Sequence, residues 1–97
     1  MERKEPESVG DVLRSLLEES SLQERMDELK AIELWPGIIG NEISRECKKP
    51  QVRNGVMTIG ISNSSLRQEL HMNRSRLIKM INDHIGKEII KEIKFVS

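Results

Sequence analysis

Residues 50–62, PQVRNGVMTIGIS, contain the strongest local folding signal in the sequence. Asn54-Gly55 supplies the pair of positive φ angles that a two-residue type I′ turn demands. After this turn, Met57, Ile59 and Ile61 alternate with small or polar residues, a period of two that is typical of a half-buried strand. The stretch therefore predicts a tight β-hairpin in which one face of the second strand is buried.

A helix and a strand are predicted after the hairpin. Ser62-Asn63-Ser64-Ser65 offers several N-cap residues, and Gly86 is a natural residue for the end of a helix. Between these signals lies one apolar stripe at helical spacing, formed by Leu66, Leu70, Leu77, Ile81 and Ile85. Residues 89–96 then predict a closing strand. Three apolar residues share one face of it: Ile89, Ile93 and Phe95.

Three helical segments are predicted before the hairpin. The first begins after Ser8 and stops at Ser20-Ser21, because Ser21 and Glu24 form a capping-box pattern for a second helix. Trp35-Pro36 then favours a kink or a short break, since the residue before a proline is biased away from the helical region. The apolar positions of the three segments are Val9, Val12, Leu13, Leu16 and Leu17, then Leu22, Met26, Leu29 and Ile32, then Ile39, Ile43 and Cys47.

This order of elements predicts an α+β fold with N-terminal helices, a three-stranded sheet (the hairpin plus the C-terminal strand) and a helix between, the helices covering one face. A length of 97 residues allows one domain. We place it at residues 8–97, after a polar tail at residues 1–7 that is expected to be flexible. Trp35 is expected to be buried against the hairpin or the 64–86 helix, because large rings dominate small cores.

No group of residues suggests catalysis or cofactor binding. His71 and His84 are thirteen residues apart and lack the spacing of a metal site, and Cys47 is the one cysteine, which excludes an internal disulfide. The carboxylates of the first half are typical of a solvated helix face, and there is no P-loop. We expect no enzyme activity, catalytic residue, metal or cofactor. Without a long apolar run or a signal peptide, we expect a cytoplasmic protein and no membrane partner.

Gly37-Ile38-Ile39-Gly40 has the GxxG spacing with which KH domains clamp a nucleic-acid backbone. The loops that touch phosphates usually carry polar or basic middle residues, and here both are isoleucine. We therefore interpret the two glycines as structural, allowing the chain to turn near Trp35.

The charge of the chain is divided between its halves. Residues 1–47 carry six basic residues against twelve acidic ones, a net charge of −6, and residues 48–97 carry ten against four, a net charge of +6. Such a division fits a polyanion at one half and a protein partner at the other. Alternatively, the two halves pair their charges at the surface of the molecule.

The basic half contains the candidate nucleic-acid contacts. Arg67, His71 and Arg74 follow i, i+4, i+7 spacing, so we expect them to share one helix face, apart from the apolar stripe. Clustered cations bind a phosphate backbone without needing a particular sequence, and the two aromatic residues offer little for base stacking. The predicted contacts are Arg67, Arg74, Arg76 and Lys79 of the helix, with Lys48, Lys49 and Arg53 near the hairpin.

Four segments together resemble one known family. In chain order they are Trp35-Pro36-x-x-x-Gly40, the hairpin Asn54-Gly55-Val56-Met57-Thr58-Ile59, the helix start Ser64-Ser65-Leu66-Arg67-Gln68-Glu69-Leu70 and the strand Ile89-Ile90-Lys91-Glu92-Ile93-Lys94-Phe95. This combination is similar to the DciA-type family of bacterial replication proteins, over about residues 8–97. The resemblance implies a KH-like domain that works in chromosome replication, with relatives that load or operate the hexameric replicative helicase and also bind DNA.

Three functions therefore compete. The first is a non-enzymatic adaptor that binds single- or double-stranded DNA with weak base preference and contacts the replicative helicase. It predicts a basic surface on the 64–80 helix and an acidic N-terminal layer that faces a protein. The second is a KH-like RNA-binding module, and the third is a plain protein-interaction domain whose divided charge is only surface balance.

Overall fold

The structure is a computed structural model that describes residues 9–97, except for the side chains of residues 15–21. Its elements are α1 (Val9–Ile39), α2 (Asn41–Arg45), β1 (Gln51–Arg53), β2 (Val56–Gly60), α3 (Ser64–Met72), α4 (Arg74–Ile85) and β3 (Glu92–Val96). This is the α+β class that the sequence predicts. The tail at residues 1–7 lies outside the described residues, so the division into a tail and a domain stays a prediction, as does the KH-like comparison.

The three strands form one mixed sheet in the order β1-β2-β3. β1 and β2 are antiparallel, whereas β2 and β3 are parallel, with Met57 opposite Ile93. A parallel pair needs a crossover connection, which α3 and α4 provide. The helices pack on one face of the sheet, and the buried residues of β2 alternate with half-buried ones along the strand.

The hairpin confirms the prediction from its turn residues. Asn54 has φ 51° and Gly55 has φ 83°, and Arg53 pairs directly with Val56 across the two-residue turn. A side chain at Gly55 would also approach the carbonyl oxygen of Ile89 at 3.2 Å. Both the backbone angle and the close approach therefore favour glycine there.

The first two predicted helices are one continuous helix, so the stop predicted at Ser20-Ser21 is wrong, as is a short break at Trp35-Pro36; the alternative of a kink there stays a prediction. Val9 and Leu13 lie eighteen residues before Asp27 and Ala31, which is five full turns of an α-helix, so both stretches share one helical face. Pro36 lies inside α1 and removes a single backbone donor.

α1 ends instead at Gly40, which has φ 95° and donates its N–H to Pro36 O at 2.9 Å. Gly40 therefore allows the chain to turn at the end of the helix, as the sequence predicts for the glycine pair. Gly37 and the two isoleucines belong to the last turns of α1 and form no separate loop.

The helix predicted over residues 64–86 is divided at Asn73, a division that was not expected from the sequence. The Asn73 side chain donates from Nδ2 to Glu69 O at 2.9 Å, while its carbonyl oxygen accepts the N–H of Leu77 at 3.1 Å. Asparagine competes for backbone partners in this way and favours helix ends over helix interiors. The apolar stripe survives the division, because Leu70 in α3 and Leu77 in α4 are both buried.

β3 begins at Glu92 and is shorter than the predicted strand over 89–96. Asn82 of α4 explains the difference. Its Oδ1 accepts the N–H groups of Ile89 and Ile90 at 3.1 and 2.9 Å, and its Nδ2 donates to Ile90 O at 2.8 Å. These backbone groups therefore bond to a helix side chain and are not available to β2.

The core lies between the sheet and the helices. Trp35 is 1% exposed, and its ring centroid lies 6.3 Å from that of Phe95, with the ring planes tilted by 42°. The predicted burial of Trp35 is confirmed, with a ring partner in β3 that the prediction did not name. The other buried apolar residues are Ala31, Val52, Met57, Ile59, Ile61, Leu70, Leu77, Ile81, Ile90 and Ile93.

Two acidic residues of α1 are buried where the helix meets the sheet. Asp27 Oδ2 lies 2.9 Å from Lys87 Nζ, and Glu28 Oε2 accepts the N–H of Gly55 at 3.2 Å. The hydrogen bond from Lys87 holds the pKa of Asp27 below its ordinary value, while burial of the carboxylate acts in the opposite direction. These contacts join α1 to the hairpin turn and to the segment between α4 and β3.

Trp35→Ala is expected to lower the free energy of unfolding by about 3–5 kcal/mol, because it removes a large buried ring and leaves a cavity. Trp35→Phe is expected to cost less, since it keeps an aromatic ring in the core. Urea unfolding of the three proteins measures both differences. An unchanged unfolding midpoint for Trp35→Ala would contradict the core assignment.

Lys87→Met is expected to lower the melting temperature at neutral pH, because Asp27 loses the partner that lowers its pKa. A carboxylate with a lowered folded pKa stabilises the fold above its unfolded pKa, and this contribution is lost as the pH falls through the folded pKa. The difference from the wild type should therefore shrink and vanish in acid. Thermal unfolding across this pH range checks the result. Lys94→Met, at an exposed position of β3, is the control without such a pH dependence.

Candidate nucleic-acid interface

A groove of about 840 Å³ runs between α1 and β1, along the free edge of the sheet. Half of its lining residues are apolar, among them Leu29, Ile32 and Val52. Four basic residues line it against one acidic residue, Glu33. The basic residues are Arg25, Lys48, Lys49 and Arg53.

Arg25 is fixed at the edge of this groove by two hydrogen bonds. Its Nη1 donates to Val52 O at 2.7 Å and to Glu28 Oε1 at 3.1 Å. Val52 is the middle residue of β1, and its carbonyl oxygen points away from β2, where it would otherwise lack a strand partner. Arg25 therefore covers the edge strand and brings a cation of the acidic half beside the basic residues of the hairpin.

Lys48 is positioned by the absence of a side chain at Gly60. The Lys48 N–H donates to Gly60 O at 2.8 Å, and the Lys48 side chain lies so close over Gly60 that a Cβ there would be 2.9 Å from Lys48 Cδ. The aliphatic part of Lys48 thus rests on the end of β2 while its ammonium group stays exposed.

Lys49 and Arg53 complete the cations of the groove. Both residues are exposed, and Arg53 directly precedes the hairpin turn. Among the residues that the structure describes, neither side chain forms an ion pair or a hydrogen bond. Their charges are available to a ligand.

Most of the predicted cations on the helices bond to other groups of the protein, unlike the side chains of Lys48, Lys49 and Arg53. Arg67 Nη1 donates to Ile61 O at 2.7 Å, and Arg74 Nη1 donates to His71 O at 2.8 Å and lies 3.2 Å from His71 Nε2. Lys79 forms an exposed ion pair with Asp83 at 3.0 Å. Arg76 is exposed and makes no bond to another described side chain or backbone group.

The seven predicted contacts therefore lie on two sets of elements, and Arg67 adjoins the set that contains Lys48 because it donates to Ile61 O, next to the Gly60 on which Lys48 rests. Lys48, Lys49 and Arg53 lie at the β1 side, whereas the helix cations lie on α3 and α4, which pack against β3. The division at Asn73 also places Arg67 and Arg74 on different helices, so the expected i, i+4, i+7 row is not one helical face.

Arg25 is a groove residue that was not predicted from the sequence. It lies in the acidic half, between Glu24 and Asp27, and the signal that could have drawn attention to it is a lone cation among carboxylates. Its place in the groove depends on where α1 lies over the sheet, which the local sequence does not show.

The alternative in which the two halves neutralise each other has limited support. Of the four ion pairs between described residues, three join neighbours on the same helix: Arg14–Asp11, Arg25–Glu28 and Lys79–Asp83. Lys87–Asp27 is the one described pair that joins the acidic half to the basic half. Among the described residues, most of the excess positive charge therefore has no partner in the acidic half.

Cys47 lies beside the groove as a half-buried thiol. Its Sγ donates to Ile43 O at 3.3 Å, and burial raises its pKa, with a smaller opposing effect from the nearby Trp35 indole. A raised pKa disfavours the thiolate, which is the nucleophilic form. Within the described part of the chain, no cluster of three metal-ligating side chains occurs, and none of the helices is long and apolar enough to cross a membrane.

The sequence model of the family described as "Dna[CI] antecedent, DciA" matches residues 8–95. The chain therefore belongs to the DciA family. At the level of the family, DciA proteins are helicase loaders of DNA replication and are not known as catalysts.

Two curated relatives from Mycolicibacterium smegmatis are 22% identical to the chain over 94 residues. One, from strain ATCC 700084 / mc(2)155, is described as a UPF0232 protein, and the other as the UPF0232 protein in the recF-gyrB intergenic region. The alignment covers 97% of this chain and 48% of each relative, so the chain spans about half the length of these relatives.

Arg25→Leu is expected to lower the free energy of unfolding by about 1–2 kcal/mol, because Val52 O and Glu28 lose a charged donor. Lys49→Leu, which removes a groove cation without a described partner, is the matched control and should change stability by less than about 0.5 kcal/mol. Urea unfolding compares the two variants with the wild type. Equal stability of all three proteins would show that Arg25 does not secure the edge strand.

Proposed function

We propose that this chain is a non-enzymatic, nucleic-acid-associated adaptor in DNA replication that acts with the replicative helicase in the bacterial cytoplasm. The observation that carries the proposal is the family match over residues 8–95, in a chain whose groove holds three cations without a described side-chain partner, Lys48, Lys49 and Arg53. Both observations are needed for the proposal. The family indicates a role in DNA replication, and the cations provide contacts for a nucleic-acid backbone.

We assign the contact with a nucleic-acid backbone to both groups of cations. The groove group is Lys48, Lys49 and Arg53, and the helix group is Arg67, Arg74, Arg76 and Lys79. The unpaired side chains of Lys49, Arg53 and Arg76 are the strongest members. Arg67 and Arg74 each use one described guanidinium nitrogen on a carbonyl oxygen and keep further donors for phosphate. The exposed Lys79–Asp83 pair is cheap to break.

The ligand is expected to be DNA bound with little base preference. Base stacking needs an exposed aromatic face, but Trp35 is buried and Phe95 is half-buried. Contacts that remain are mainly those between cations and phosphates, which are strongly salt-dependent and carry no sequence information.

Reversal of two charges in either group should weaken binding across all DNA sequences. Lys49→Glu/Arg53→Glu tests the groove group, and Arg74→Glu/Lys79→Glu tests the helix group. For every phosphate that a variant no longer neutralises, the slope of log K against log salt should fall by roughly 0.7 for single strands and 0.9 for duplexes. Fluorescence anisotropy with labelled single-stranded DNA, duplex DNA and RNA at several salt concentrations measures both quantities.

Lys30→Glu/Lys94→Glu is the matched control, because it changes the net charge by the same amount at exposed positions outside both groups. The control should bind more tightly than either test variant. Binding by both test variants as tight as that of the wild type at low salt would exclude the basic-surface assignment. Preference for RNA over DNA would instead support the RNA-binding alternative.

The helicase contact has its own test. Immobilised chain should retain the purified replicative helicase of the same organism, and an unrelated hexameric ATPase of similar charge is the control. Retention of neither protein, together with salt-sensitive DNA binding, would reduce the proposal to a DNA-binding module. If the wild-type chain binds neither DNA nor the helicase, the remaining interpretation is a plain protein-interaction domain.

A further inference from the structure

The N-terminal part of α1 extends beyond the rest of the molecule. We call residues 9–22 the overhang, which is about 21 Å long at the rise of an α-helix. The longest dimension of the protein is 63 Å, against 25 and 19 Å for the other two. Within the overhang, all the side chains that the structure describes are exposed.

The overhang has the composition of a contact surface and not of a solvated helix. Its exposed apolar residues include Val9, Leu13 and Leu22, with exposures of 76%, 53% and 60%. Val9 and Leu13 continue the same helical face that Asp27 and Ala31 bury against the sheet. A helix of this length without tertiary packing is marginal in water, so it needs something to cover it.

The α1–β1 groove is complementary to the overhang. Leu29 is 46% exposed on its rim, and Ile32, Pro36 and Val52 add apolar lining. The groove carries four cations against one acid, whereas residues 9–22 carry three acidic residues against one basic one. An acidic, apolar helix therefore fits the basic, apolar groove in both charge and chemistry.

The overhang and the groove belong to the same chain, and α1 contributes to both of them. We propose that two copies of the chain form a two-fold dimer in which the α1 helices cross in antiparallel orientation and each overhang lies on the groove of the other copy. In such an isologous contact, residue i of one copy meets residue j of the other, and the reverse contact follows from the symmetry. Both overhangs are covered at once, and the overhang then competes with DNA for Lys48, Lys49 and Arg53, the groove cations that the proposed function assigns to a nucleic-acid backbone.

The positions of the contact residues indicate that the two α1 helices cross each other and do not pack side by side along their length. Leu13 in the overhang and Leu29 at the groove are sixteen residues apart, which leaves them about 160° apart around the helix axis. A second helix that crosses near residue 21, midway between them, meets Leu13 on one side of α1 and Leu29 on the other. Steep crossings of about 50° are common between packed helices.

The dimer is tested by its mass in the absence of DNA and helicase, so its failure is separate from that of the proposed function. Analytical ultracentrifugation should show the average mass rising with concentration from 11.2 kDa towards twice that value. High salt should weaken the association, because charge attraction between the two copies is screened. A chain that stays monomeric at all concentrations, or that forms ever larger assemblies, would overturn the proposal.

Two variants identify the contact, and their mixture provides the decisive result. Leu13→Asp places a negative charge in the overhang and Leu29→Lys places a positive charge in the groove, so each variant alone should remain monomeric. A mixture should recover dimers, because one contact then keeps Leu13 against Leu29 and the other pairs the new aspartate with the new lysine. Absence of recovery in the mixture, or dimers of either variant alone, would contradict the assigned contact.

Met72→Asp is the control for the charge and for the loss of an apolar side chain, since Met72 is 73% exposed on α3, away from α1. It should dimerise like the wild type. Circular dichroism and the melting temperature report whether each variant is folded. Each substitution replaces an exposed side chain, so the fold should be retained in all three variants.

Discussion

Two buried carboxylates of α1, each bonded to its own partner, fix the position of this helix, and much of the structure depends on these contacts. Glu28 holds the hairpin turn through Gly55 and also orients Arg25, while Asp27 holds Lys87 beyond α4. A buried carboxylate without partners is strongly unfavourable, so α1 is stable only in the orientation that satisfies both. That orientation buries Trp35, places Arg25 on the edge strand and leaves residues 9–22 beyond the sheet.

The parts of the fold that could be predicted from the sequence are those that depend on neighbouring residues. The Asn54-Gly55 turn, the alternation along β2 and the stripe through Leu70 and Leu77 are set by local backbone preferences and by periodic burial. Element ends were harder, because hydrogen bonds from single side chains to the backbone decide them. Asn82 removes residues 89 and 90 from the last strand, and Asn73 divides the helix, although neither asparagine has a special local pattern.

The candidate site was predictable in composition but not in arrangement. The excess of basic residues in the second half identifies the cations, and seven of them were named from the sequence. Their grouping depends on tertiary contacts. β1 and β3 occupy the two edges of the sheet, and the helices that carry the second group pack against β3. Arg25 joins the first group only because α1 passes over β1.

The parallel pairing of β2 with β3 also affects the order in which the chain can fold during synthesis. A ribosome makes β1 and β2 early, yet the strand that completes the sheet lies more than thirty residues later, at Glu92–Val96. Until that segment emerges, β2 keeps an open edge with the β-prone apolar sequence Val56-Met57-Thr58-Ile59-Gly60-Ile61. The nascent chain therefore passes through a period in which the apolar edge of β2 is unprotected, and pairing with β3 ends it.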